Sequence, residues 1–119
     1  MIDITDEDRA LVKSHTLLPR ILSAFERDAA LINATLKTPG PYADIIAEAQ
    51  RKLTADIYDI RKEFRRRGIK VYEESADKDG VLAKYQCRGY HAEFRLLNSF
   101  MAAEANVLMR KYLGAPPLS

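Results

Sequence analysis

Between Arg61 and Tyr72, RKEFRRRGIKVY, the chain changes its apolar repeat within a dozen residues. Up to Phe64 apolar residues recur at three- and four-residue steps, the repeat of a helix face. From Ile69 they alternate, the repeat of a strand. A helix therefore has to stop at Gly68, the residue type best suited to a left-handed terminus, and a strand has to start directly after it. Six of the first ten residues of this segment are Lys or Arg, and only Glu63 opposes them. Arg65, Arg66 and Arg67 fall in the last turn, where cations complement the negative end of the helix dipole.

The helix leading into this junction is predicted over 41–67, with Pro41 in its first turn. Its apolar residues Tyr42, Ile45, Ile46, Ala49, Leu53, Ile57, Ile60 and Phe64 recur at three- and four-residue steps, apart from the adjacent pair Ile45 and Ile46. Before it, Thr38-Pro39-Gly40-Pro41 is a loop composition. An earlier helix is predicted over 5–35, opened by Thr5 as cap and by the acids Asp6, Glu7 and Asp8. Leu11, Leu18, Leu22, Phe25, Ala29 and Ile32 form its stripe, and His15 fills the one wide gap. Pro19 lacks the N–H owed to the His15 carbonyl, so a kink or break is expected there, with Thr16 able to cap a restart.

After the junction, Ile69 and Val71, then Val81, Ala83, Tyr85 and Cys87, alternate around the turn composition Ala76-Asp77-Lys78-Asp79-Gly80. This predicts a hairpin over 69–88, with Ile69 facing Cys87, Val71 facing Tyr85 and Ser75 facing Val81. A third helix is predicted over 90–113 from the stripe Tyr90, Phe94, Leu97, Met101, Ala105, Leu108 and Tyr112. Leu96, Phe100, Ala103 and Val107 carry apolar surface well round that cylinder, as in a central helix or one shared between subunits. The tail 114–119 contains Gly114, Pro116 and Pro117. The expected fold is α+β, mostly α, in the order α-α-β-β-α, as one domain spanning 1–119.

Composition narrows the function. The 119 residues suffice for one core without disulfides, and Cys87 is the only cysteine, which fits a reducing compartment. The acidic N-terminus has no secretory pattern, and no apolar run is long enough to span a bilayer, so a cytoplasmic location is expected. Residues 1–60 carry seven Lys/Arg against ten Asp/Glu, and residues 61–119 carry twelve against seven. An acidic side and a basic side are expected to follow from that asymmetry.

Chemical motifs are sparse. Cys87 and His91 are close in sequence, but Cys87 belongs to the inward face of its strand and reads as a buried small residue. His15 reads as a core or boundary histidine. The carboxylates Asp44, Glu48, Asp56, Asp59 and Glu63 are interspersed with Arg51, Lys52, Arg61 and Lys62, the pattern of a salt-bridged helix face. Asp56, between Leu53 and Ile60, is expected to point inward. No metal-ligand spacing, phosphate loop or nucleophile elbow is present, so neither enzymatic activity nor a cofactor or metal is expected.

Two segments, Leu17-Leu18-Pro19-Arg20-Ile21-Leu22-Ser23-Ala24-Phe25-Glu26-Arg27-Asp28 and Arg65-Arg66-Arg67-Gly68-Ile69-Lys70-Val71, resemble motifs in small uncharacterised helical proteins of endospore-forming Gram-positive bacteria. The resemblance is carried mainly by the first seventy residues or so. It implies a bacterial, intracellular, non-enzymatic protein and assigns no site residues.

The function expected from these readings is interaction or scaffolding, with a homodimer or other protein partner formed through Leu96, Phe100, Ala103 and Val107. The alternative is a nucleic-acid-associated regulator that grips phosphates with Arg61, Arg65, Arg66, Arg67, Lys70, Lys84 and Arg88.

Overall fold

A computed structural model describes residues 3–118. The order is α1 (Asp6–Thr35), α2 (Gly40–Arg67), β1 (Ile69–Ala76), β2 (Gly80–Cys87), β3 (Tyr90–Leu97) and α3 (Asn98–Leu113). The fold is α+β and mostly helical, with one antiparallel sheet ordered β1-β2-β3. The molecule measures 58 × 31 × 29 Å, and the antiparallel pair α1 and α2 provides its long dimension.

The start of α1 is a capping box. Thr5 Oγ1 accepts from the Asp8 amide at 3.1 Å, and Asp8 returns an acceptor to the Thr5 amide at 3.0 Å. The helix continues through Pro19 without a break. Thr16 caps no restart, because its hydroxyl donates to the Val12 carbonyl at 3.1 Å. Thr16, Leu17, Leu18 and Ile21 are all buried around Pro19, and that packing holds the helix through the missing hydrogen bond.

The third helix begins eight residues later than its apolar stripe indicates, because Tyr90–Leu97 is a strand. Arg88 and Gly89, both at positive φ, make the tight turn into it. The hairpin register holds at Ile69↔Cys87 and Val71↔Tyr85 and then slips at a bulge around Tyr72. Ser75 consequently faces Leu82 rather than Val81. The last residue of the predicted tail, Ser119, lies outside the described residues.

Two apolar clusters form the core. Val12, Phe64, Ile69, Tyr85 and Cys87 join the sheet to the helix junction. Leu18, Ile21, Phe25, Ile46, Ala49, Leu53 and Tyr112 seat α3 on α1 and α2. No helix among the described residues is long and apolar enough to cross a membrane.

Gly80 lies where β2 meets the end of β3, and a Cβ there would stand 2.0 Å from the Leu96 carbonyl oxygen. The obstacle is backbone, which has little room to shift. Gly80→Ala is expected to lower stability by about 2 kcal/mol or more, read as a fall of several degrees in the circular-dichroism melting temperature.

Candidate functional site

Two places on this fold concentrate unusual surface chemistry: the charged junction between α2 and the sheet, and the exposed flank of α3.

At the junction, Asp8 is only 1% exposed, so its carboxylate needs partners. Arg88 donates to it through Nη2 at 2.6 Å, and Arg67 through Nη1 at 3.3 Å. Arg88 also donates to the carbonyls of Arg67 (2.7 Å) and Asp3 (3.1 Å). Arg67 reaches Glu7 at 2.9 Å and Glu63 at 3.0 Å. A single cluster therefore ties the first turn of α1, the end of α2 and the β2–β3 turn together. The left-handed backbone of Arg88, φ 51°, is held by these contacts. Gly68, φ 67°, closes α2 beneath it, with the Arg88 Cγ 3.3 Å from where a Cβ would stand.

This arrangement engages much of the predicted phosphate grip. Arg66 pairs with Glu63 at 2.8 Å, Lys84 with Glu73 at 3.0 Å, and Arg67 and Arg88 with the carboxylates of α1. Arg61, Arg65 and Lys70 form no ion pair among the described residues. The expected acidic and basic sides meet here.

On α3, only Tyr112 is buried. Its hydroxyl donates to Asp56 Oδ2 at 2.6 Å, so Asp56 points inward as its spacing indicates. Phe100 and Val107 are 41% and 53% exposed, and Ala103 between them is exposed as well. Leu96 is a correction: it belongs to β3, is 4% exposed and faces the core, so it offers nothing to a partner. Along one edge of α3, Lys13 of α1 pairs with Glu104 at 3.5 Å and covers one face of the Phe100 ring, 4.7 Å from its centroid. Sequence reasoning missed a further exposed set at the far end of the helix pair: Leu31, Leu36, Tyr42 and Ile45, between 45% and 56% exposed. The adjacent pair Ile45 and Ile46 was the available signal, since two neighbours cannot both face one core.

The histidines and cysteine take structural places. Cys87 is fully buried, and burial followed by the Asp8 charge pushes its thiol pKa up. His91 lies instead beside Tyr72, 3.3 Å from its hydroxyl. His15 packs on the Phe64 ring with centroids 4.8 Å apart.

A small α+β protein with a charge-locked helix–sheet junction and an uncovered helix flank is the class this geometry defines. The sequence profile described as "YhjD protein" matches residues 3–116, and the chain belongs to that family. A Bacillus subtilis (strain 168) protein described as "Uncharacterized protein YhjD" is 31% identical over 117 residues, 98% of each chain. The similarity thus extends through the sheet and α3, beyond the seventy residues that carry the motifs. No solved structure matches the chain.

Two pH effects follow from the site. Burial pushes the Asp8 carboxyl up, but the hydrogen bonds from Arg88, Thr5 and Arg67 outweigh it and hold the pKa at about 2, against 3.8 ordinarily. As pH falls the unfolded chain is protonated first, so this stabilisation is complete above about pH 4 and lost towards pH 2. Asp8→Asn should remove on the order of 2 kcal/mol at pH 7 and flatten that part of the acid-denaturation curve. For His15, burial lowers the pKa, the Glu74 charge opposes this and the Arg61 charge assists it. Stability should therefore begin to fall below pH 6.5 as the unfolded state takes up the proton first, and His15→Phe should abolish that component of the melting temperature between pH 7 and 5.

Proposed function

We propose that this chain is a cytoplasmic, non-enzymatic interaction protein that self-associates through the outer flank of α3. The observation carrying the reading is the stripe of Phe100, Ala103 and Val107, at three- and four-residue steps and exposed on a helix that is seated in the core through Tyr112. Ala103 leaves room for a second surface to approach between the two larger side chains. The junction cluster supports a non-catalytic role, since its carboxylates and arginines hold elements of the fold to one another. The nucleic-acid alternative has less support, because four of its seven cations already have carboxylate partners.

Magnitudes limit what the stripe does alone. Fully burying a Phe or Val is worth about 1.5–3 kcal/mol, and roughly half of each here is already covered. In a symmetric dimer each residue counts twice, giving about 4 kcal/mol against an association cost of at least about 4 kcal/mol. The stripe therefore needs an apolar counter-surface.

Sedimentation equilibrium between 5 and 200 μM tests the proposal. The expected mass is twice 13.5 kDa at the upper end. Phe100→Glu and Val107→Glu should each return the monomer, with unchanged circular dichroism because both sites are exposed. A wild-type chain that stays monomeric at 200 μM rejects the reading.

A further inference from the structure

The α3 helix is too short for the groove it lies in. It has 16 residues and α1 has 30, so at about 1.5 Å per residue roughly 20 Å of the α1–α2 pair runs on beyond its end. The walls of that extension are apolar and point to the side that α3 occupies. Leu31 follows Lys13, the α1 residue paired with Glu104 of α3, by about five helical turns. Ile45 precedes Asp56, the α2 residue bonded to Tyr112 of α3, by about three turns. Leu36 and Tyr42 continue the apolar surface at the tip. Among the described residues α3 does not continue into that space: Gly114, at φ 75°, ends it, and Pro116-Pro117 bars a helical continuation.

We infer that the uncovered end of the α1–α2 groove receives the α3 helix of a second copy, and that the exchange is reciprocal. This rests on the self-association reading and specifies its counter-surface. A two-fold axis beside the end of α3, perpendicular to the helix pair, reverses the helix direction and turns the two grooves face to face. Each outward stripe then meets the other copy's uncovered walls. The two α3 helices lie end to end in one layer between the two α1–α2 pairs.

The spacing fits. Phe100 stands level with Lys13, and Val107 stands about 10 Å further along the molecule. Reflected through the end of α3, Val107 comes to the level of Leu31 and Ile45, and Phe100 to that of Leu36 and Tyr42. Every large side chain of the stripe finds an exposed apolar pair. The interface is isologous and closed, so it yields a dimer rather than a filament. Arg110 and Lys111, in the last turn of each α3, offset the meeting of the two negative helix ends.

Two measurements on the full chain test this. Leu31→Glu and Ile45→Glu, both at exposed sites, should each raise the dimer dissociation constant at least tenfold, as Val107→Glu does. In a chain carrying Ile45→Cys and Val107→Cys, mild oxidation should produce a dimer whose peptide map shows residue 45 joined to residue 107 of the other copy. The two positions lie roughly 20 Å apart within one chain, too far to join internally, and Cys87 is buried out of reach. A dimer that the α3 substitutions dissociate and the groove substitutions leave intact, or cross-links joining 107 only to 107, overturns the groove assignment while self-association survives. A wild-type monomer overturns both.

Discussion

The mismatch between a 16-residue α3 and the 30- and 28-residue helices it packs on shapes most of this protein. Where the three helices overlap, Leu18, Ile21, Phe25 and Tyr112 lose nearly all contact with water. Where α3 has ended, residues of the same types stay exposed: Leu31, Tyr42 and Ile45. Two helices alone cannot bury a shared apolar face as three can, because each turns its remaining flank to solvent. That geometry ties the stripe on α3 and the bare tip of the helix pair to one cause, and it motivates reading them as two halves of one interface.

At the opposite end the sheet is secured by charge as well as by packing. Asp8 caps its own helix and receives two arginines from sequence positions 67 and 88. A buried pair of this kind gives little net stability over an apolar substitute, yet losing one partner is costly. Its main consequence is geometric. It fixes the β2–β3 turn against the start of α1, so β3 leads into α3 along the helix pair rather than away from it. Of the basic run that dominates the sequence, Arg67 is thereby directed inward, to the protein's own acidic first turn, while Arg66 pairs with Glu63 of its own helix.

Much of this was legible beforehand. Ile46, Ala49, Leu53 and Phe64 of α2 keep the one buried face that their spacing indicates, and the β1–β2 hairpin keeps its expected register from Ile69 to Val71. β3 admitted two readings, because Tyr90, Phe94, Leu97 and Met101 satisfy a helical step while Ala92, Phe94 and Leu96 alternate. The turn that decides between them is Arg88-Gly89. It places arginine in a conformation that asparagine or glycine usually supplies, stabilised by Asp8 at the other end of the chain. Local rules carry no trace of such a contact. Pro19 misled for the same reason, since the packing on both sides of it is tertiary. The exposed stripe was visible at Phe100, Ala103 and Val107, whereas Leu96 was assigned to it only through the misplaced start of the helix.

Small-angle X-ray scattering over a concentration series tests the central claim most directly, because it reads mass and shape together. Two copies lying face to face about the end of α3 overlap along most of their length. The account predicts a doubled mass at high concentration with a maximum dimension of about 80 Å, well short of twice the 58 Å monomer. A mass fixed at 13.5 kDa at every concentration, or a dimer near twice the monomer length, contradicts it.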